Sequence, residues 1–403
     1  MAARLIYPGL SRLPVAQREQ LAQRFRDDLL NNTLPFWLRH GWDHQYGGIL
    51  TCLDRDGSLV DDDKGVWQQG RFLWLLGKLY NDHQATAEWL QFADQGLRFL
   101  LENCLDPNDG RLWFHVTRRG QPLRKRRYAF SESFAAIACS QWARAKQDQQ
   151  LAEQSVRFFT QFIRQHSEGG PTAAKFTDVR PAKSIGVPMI TLVTAQELRS
   201  AIQWDAADQW IDAAIDEILG HFVKEDIQCV METVATDGQR LDHFDGRTLN
   251  PGHAIECAWF LMREGQHRQD MELISLGARM VQWMWNRGWD AQYGGLFYFV
   301  GVDDRPVQEY WHEMKFWWPH NEVIIATLMA FLLTGEQSFF DQFELARQWA
   351  ETHFVDRQHG EWFGYLRRDG TPSSTLKGNL WKGPFHLPRM QWMCWRMLAG
   401  LAF

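Results

Sequence analysis

Two segments of this chain place a histidine at the mouth of a helix with a charged residue one turn on. In Asn250-Pro251-Gly252-His253-Ala254-Ile255-Glu256 the Pro-Gly pair breaks the chain, and Ala258-Trp259-Phe260-Leu261 is an apolar run behind it. Proline is tolerated in a first turn, so a helix is expected from Pro251, with His253 and Glu256 on one face. Pro384-Phe385-His386-Leu387-Pro388-Arg389 repeats the arrangement as His386 and Arg389. Imidazole titrates near neutral pH and can give or take a proton, and each charged neighbour is expected to set the orientation and pKa of its ring. Taken singly, either histidine also reads as a hydrogen-bonded structural residue.

Other chemistries find less support. His40 and His44 are separated by Gly41 and a turn, and no HExxH segment occurs. Gly378-Asn379-Leu380-Trp381-Lys382-Gly383 runs into Pro384 where a phosphate loop needs Lys and Ser or Thr. Arg124-Lys125-Arg126-Arg127 reads first as a solvated loop and second as an anion site. A net charge of −6 over 403 residues argues against nucleic acid as a partner. No run of 18 apolar residues suggests a membrane span, and Met1–Pro8 lacks the apolar core of a secretory leader. Six cysteines without a CxxC pair read as reduced core residues of a cytoplasmic protein. The 21 tryptophans suit either a packed core or walls against the C–H faces of sugars.

A repeat supplies the scaffold. Asp43-His44-Gln45-Tyr46-Gly47 recurs from Asp106 to Gly110, from Asp290 to Gly294 and from Asp356 to Gly360. The steps are 63, 184 and 66 residues, and the middle one leaves room for two degenerate copies; Ser167-Glu168-Gly169-Gly170 is the expected trace of one. Six units of about 65 residues follow. Each reads as an amphipathic helix, an Asp-to-Gly turn with short aromatic strands (Gly48–Leu53, Arg111–Thr117, Gly295–Val300, Gly360–Leu366), and a second, more apolar helix. The second helices are expected to begin near Val66, Phe130, Ile185, Pro251, Trp318 and Pro384. Helices apolar nearly all round are buried ones. The expected fold is therefore all-α, an (α/α)6 barrel forming one domain over residues 1–403. In such a barrel the inner-helix starts gather at one end, which would bring together Arg71, Glu132, His253, Glu256, His320, Glu322, His386 and Arg389.

These strings, with Lys315-Phe316-Trp317-Trp318-Pro319-His320-Asn321-Glu322, Gly360-Glu361-Trp362-Phe363-Gly364-Tyr365 and Lys382-Gly383-Pro384-Phe385-His386-Leu387-Pro388-Arg389, resemble the N-acylglucosamine 2-epimerases, known in mammals as renin-binding protein. The resemblance implies an (α/α)6 barrel, paired catalytic histidines at His253 and His386, a sugar-binding arginine at Arg71, and supporting charges at Glu256, Glu322 and Arg389. Mammalian members respond to ATP as an activator that is not consumed. Their Gly- and Lys-rich loop reads here Lys377-Gly378-Asn379-Leu380-Trp381-Lys382-Gly383, with Asn and Leu breaking the pattern. Relatives acting on unmodified sugars carry a further histidine on the third inner helix, where this chain has Pro188-Met189-Ile190-Thr191-Leu192-Val193.

The expected reaction inverts C2 of an open-chain amino sugar, N-acetylglucosamine to N-acetylmannosamine. One base removes the C2 proton and a second group returns one on the other face. Arg71 would stabilise charge on O1, and Trp67, Trp317 and Trp318 would face the sugar. No cofactor is required by this chemistry; ATP as activator, a homodimer, and a cytoplasmic location complete the expectation. Three rivals stay open: an aldose-ketose isomerase or 2-epimerase of mannose or cellobiose, a glycoside hydrolase using Glu132 and Glu256 as opposed carboxylates, and a non-catalytic protein-binding module.

Overall fold

The computed structural model describes residues 7–167 and 175–402. The trace expected at Glu168–Gly170 and the reading of residues 1–6 lie outside them. Among the described residues, twelve long helices alternate between an outer and an inner ring. The outer ones are α1 (Val15–Asp28, running on through Leu29–Thr33 into Leu34–His40), α3 (Ala87–Arg98), α5 (Gln149–His166), α7 (Ala207–Glu217), α9 (Met271–Gly288) and α11 (Gln337–His353). The inner ones are α2 (Val66–Asp82), α4 (Phe130–Lys146), α6 (Gly186–Ile202), α8 (Pro251–Arg268), α10 (Trp317–Thr334) and α12 (His386–Leu398). This is the (α/α)6 barrel.

Local chemistry sets the boundaries. Asn250 caps α8 by accepting from the His253 N–H at 3.1 Å, and Pro251 fills the first position, where no donor is needed. Asp148 and Asp270 cap α5 and α9 in the same way. The inner helices bury most of their side chains; α10 is buried from Trp317 to Leu333. The outer helices bury one stripe, such as Phe158, Phe159 and Phe162 of α5. The ring closes where α12 meets α2, with Phe385 against Trp74 at 5.5 Å and Arg396 donating to the Asp82 carbonyl.

The strands are shorter than expected, two or three residues each, and they stitch neighbouring units together. The segments entering four of the six inner helices pair antiparallel with the hairpin of the next unit: Lys64–Gly65 with His115–Val116, Ala182–Ser184 with Thr233–Ala235, Thr248–Leu249 with Val300–Gly301, and Lys315–Phe316 with Tyr365–Leu366. All of this lies at the inner-helix N-termini, so one end of the barrel carries a collar.

The Asp-to-Gly turns hold the collar. In all four the Gly N–H returns to the Asp carbonyl, and the Gly has positive φ. A buried lysine locks three of them: Lys64 on Asp43 at 2.8 Å, Lys315 on Asp290 at 3.1 Å, and Lys377 on Asp356 at 3.0 Å. A degenerate copy is also present, Val223–Lys224 paired with Cys229–Val230, where Gln228 takes the left-handed position at φ 49°. It escapes a sequence search because neither its Asp nor its Gly is kept.

Candidate functional site

Trp67 and Arg71 of α2, His253 and Glu256 of α8, and His386 and Arg389 of α12 line one cavity of about 750 Å³ inside the collar. That volume suits a small-molecule site.

The carboxylates fix the histidines. Glu322 Oε1 accepts from His386 Nδ1 at 2.7 Å and from Arg389 Nη2 at 2.6 Å, while its Oε2 accepts from Trp259 Nε1 at 2.9 Å. A carboxylate can only accept, so Nδ1 of His386 carries hydrogen and Nε2 keeps its lone pair. His253 Nδ1 lies 3.2 and 3.1 Å from the two oxygens of Glu232, which assigns its tautomer in the same way. Both rings pack on Trp318, at 4.9 Å for His253 and 5.8 Å for His386.

Their electrostatics diverge. Burial pushes His386 well below its ordinary value, and the Arg389 guanidinium adds to the shift. Burial opposes charge on His253 too, but Glu232, through charge and hydrogen bond, outweighs it, and the pKa is raised. The side chain of His253 is 37% exposed and that of His386 10%, in keeping with the difference.

Arg71 lies between the rings of Phe134, at 4.1 Å, and Phe385, at 4.7 Å. Among the described residues it has no hydrogen-bond or ion-pair partner, and its Nε is sealed from solvent. Burial, followed by repulsion from Arg389, brings its pKa down to about 9, so it stays charged at neutral pH. A cation held without a carboxylate in a low-dielectric cavity suits a developing anionic oxygen.

Four expectations are corrected. His320 does not enter the cavity: it is fully buried, its Nδ1 donates to the Phe316 carbonyl at 2.7 Å, and its Nε2 accepts from the Leu296 N–H at 2.9 Å. Burial brings its pKa down to about 3, which keeps it neutral and structural. Glu132 does the same work in the second unit, accepting from the Leu112 N–H at 3.0 Å and from Arg111, so the opposed carboxylates of a hydrolase are not formed. Glu322 is fully buried behind His386 and does not line the cavity. The residue one turn on does not by itself orient either imidazole: Arg389 Nη2 lies 3.3 Å from His386 Nδ1 and lowers its pKa, and Glu256 adds to the raised pKa of His253, but the carboxylates bonded to the rings are Glu322 and Glu232, and Glu256 pairs with Arg389 at 2.6 Å.

Glu232 is the residue that sequence reasoning missed. Its signal was a lone acid inside the apolar run Cys229-Val230-Met231-Glu232-Thr233-Val234. The loop carrying Lys377 and Lys382 is also structural, since both ammoniums are buried on Asp356 and Glu361. Glu256, Glu322 and His386 bring ligand atoms within 4.8 Å of one another. The Arg389 guanidinium already bridges the two carboxylates, taking the place a cation would fill.

Comparison with known proteins identifies the family. The profile of the N-acylglucosamine 2-epimerase (GlcNAc 2-epimerase) family matches residues 38–386. The chain is 36% identical to N-acylglucosamine 2-epimerase from Bos taurus, over 92% of this chain and 90% of that protein. It is 35% identical to the Homo sapiens protein of the same name, over 92% and 89%. Its fold superposes on cellobiose 2-epimerase from Bacillus thermoamylovorans B4167 with a TM-score of 0.80 at 19% identity, covering 94% of this chain and 99% of that one. With its barrel, its collar and its paired histidines in place, the chain belongs to the N-acylglucosamine 2-epimerase family.

Proposed function

We propose that this sugar 2-epimerase interconverts N-acetylglucosamine and N-acetylmannosamine by proton transfer at C2, with His386 and His253 as the two acid/base groups. The observation that carries the reading is the opposite polarisation of two imidazoles facing one cavity. Burial keeps His386 neutral with a free Nε2, fit to remove a proton, and Glu232 favours the protonated form of His253, fit to supply one. The C2 proton is acidic only beside a free C1 aldehyde, so the ring opens first. As it leaves, charge moves to O1, toward Arg71. His253 then protonates C2 from the other face. In the reverse direction the histidines exchange roles.

Glu322, Glu232 and Arg389 position these groups, Glu256 holds Arg389, and Trp67 forms the wall beside Arg71. The chemistry calls for no cofactor. Activation by ATP, a homodimer and a cytoplasmic location belong to the same proposal; six free thiols accord with a reducing compartment.

Proton NMR of N-acetylmannosamine with the enzyme in deuterated water, with and without ATP, tests the reading. Epimerisation should be accompanied by deuterium at C2. Epimerisation with C2 still protiated would overturn the two-base mechanism. The second reading, a 2-epimerase of unmodified sugars, draws on relatives named cellobiose 2-epimerase, the first of them 23% identical. Mannose and cellobiose in the same assay separate the two.

A further inference from the structure

The basic run Arg124-Lys125-Arg126-Arg127 takes no part in the proton transfer, yet it lies beside the mouth of the catalytic cavity. Lys125 is structural, since Asp106 and Asp109 hold its ammonium. The backbone is pinned as well: the Arg111 guanidinium donates to the carbonyls of Arg126 and Tyr128, at 3.0 and 3.3 Å. Arg124 ends a short strand and is paired there with His115. Two guanidiniums are thereby seated on one buried ring, Phe114, with Arg124 at 4.8 Å and Arg126 at 4.7 Å from its centroid. Arg126 also lies 5.0 Å from the ring of Trp381, which lines the cavity and is 42% exposed. Among the described residues neither guanidinium has a carboxylate partner or a hydrogen-bond acceptor. Burial, and after it repulsion from Arg124, lowers the pKa of Arg126.

We propose that Arg124 and Arg126 form a phosphate site at the mouth of the cavity, and that it holds the phosphate monoester of a 6-phosphorylated amino sugar. Two like charges on one ring repel each other, and a dianion between them removes that repulsion. The planar fork of a guanidinium matches phosphate oxygens in pairs, and stacking on fixed rings orders it before the ligand arrives. One aromatic wall joins this pair to the chemistry. Arg71 lies 5.6 Å from the ring of Trp67, Trp67 lies 6.0 Å from Trp381, and Arg126 stands at the far side of Trp381. The placing of the sugar rests on the proposed reaction: with O1 at Arg71, a hexose lying along this wall brings C6, its other end, toward Arg126. A phosphate on O6 leaves C1 and C2 free, so the ester competes with the neutral sugar for the cavity. Free phosphate is the other source of the same group.

Isothermal titration calorimetry with N-acetylglucosamine, its 6-phosphate and inorganic phosphate tests the site. The proteins are the wild type, Arg126→Gln, Arg124→Gln and, as a charge control in the first turn of outer helix α1, Arg18→Gln. Circular dichroism melts check that each variant is folded. The 6-phosphate should bind the wild type at least about tenfold more tightly than the neutral sugar, the worth of one charge-assisted hydrogen bond. Arg126→Gln and Arg124→Gln should each remove most of that ratio, and Arg18→Gln should keep it. The ratio should also fall as salt rises from about 0.02 to about 0.5 M, a reading that needs no variant. Binding of inorganic phosphate that depends on Arg126, with no advantage for the ester, would overturn the sugar ester as occupant and leave the free ion in its place. Equal affinity for ester and neutral sugar, with no phosphate binding that depends on Arg126, would overturn the site. If neutral amino sugars are neither bound nor epimerised while phosphate binding still depends on Arg126, the proposed reaction fails and the phosphate site stands.

Discussion

His253 and His386 enter one cavity from the first turns of two inner helices, and their surroundings drive them apart. His386 has a buried carboxylate, Glu322, but shares it with Arg389, so the guanidinium takes up the negative charge and the imidazole stays neutral. His253 has Glu232, whose neighbours Met231 and Thr233 are buried, and among the described residues no cation is bonded to it, so the carboxylate favours the protonated ring. The ligand type is the same in both cases. What differs is whether a cation shares the carboxylate. A pair of groups whose environments push their pKa values apart can start each turnover with one base and one acid already in place.

Replacing either histidine gives the largest expected effect. His253→Asn or His386→Asn should lower net epimerisation by about 10²- to 10⁴-fold, the usual share of a positioned acid or base. The two variants should differ in isotope exchange. Each should still exchange the C2 hydrogen of the one epimer whose proton faces the surviving histidine, read by NMR in deuterated water. Equal exchange of both epimers in one variant would break the assignment of one histidine to each face.

Arg71→Ala comes next, with about a 10²- to 10³-fold fall in kcat, as for loss of one donor to a developing oxyanion. The change should fall on kcat more than on KM, because the charge on O1 exists only after proton removal. Its Lys variant should rescue part of the rate.

Glu232→Gln is smaller and is read in the pH profile. kcat/KM should fall at low pH as His386 takes a proton and at high pH as His253 loses one. Without Glu232 the raised pKa of His253 drops, so the alkaline limb should move to lower pH while the acidic limb stays. The peak rate should fall about tenfold, the worth of one charge-assisted hydrogen bond of about 1.5 kcal/mol. The same limbs should appear in both directions, because the equilibrium between two neutral sugars does not depend on pH. A shift of the acidic limb would mean that the histidines have been assigned the wrong way round.

The turn lysines give an effect on stability alone. Burial would raise the pKa of Asp43, but hydrogen bonds from Arg118 and Lys64 outweigh it and bring it down to about 2; Asp290 is brought to about 2 by Arg368 and Lys315 in the same way. A depressed folded-state pKa gives stability that is present above the unfolded value, near 3.8, and lost as pH falls toward 2. Thermal melts should therefore drop steeply between about pH 4 and pH 2.

The sequence carries the barrel well because its signals are local. Proline, Gly-Gly turns and caps place all six inner-helix starts within two residues of where they occur, and the 65-residue period counts the units. The site is half legible for the opposite reason. Glu232 and His253 are 21 residues apart, and their meeting depends on how one hairpin lies over the start of α8. His320 shares its local pattern with His253 and His386 but not their phase. His253 stands three residues after its cap Asn250, whereas His320 stands four after Phe316. One residue is about 100° of helix, which turns the ring from the cavity to the collar. Counting from the cap would have made the distinction, since Gln69 stands four after Gly65 and bonds Ile49 as His320 bonds Leu296.

That comparison yields the smallest and most discriminating prediction, which concerns a histidine argued to do no chemistry. If His320 only ties the Leu296 N–H to the start of α10, glutamine should replace it, because glutamine fills the equivalent place in the first unit, where the Gln69 side chain accepts from the Ile49 N–H at 2.8 Å. His320→Gln should keep kcat/KM within about twofold and cost under about 1 kcal/mol of stability, the range of a near-isosteric exchange that keeps the bond. His320→Ala leaves a buried N–H and a buried carbonyl unpaired, and should cost about 1–3 kcal/mol. The pH profile should be unchanged in both, since a ring held near pKa 3 is neutral throughout the working range. A large loss of turnover in a well-folded His320→Gln, or a displaced limb in its pH profile, would put a third imidazole into the proton path and undo the contrast between the histidines of the cavity and those of the collar.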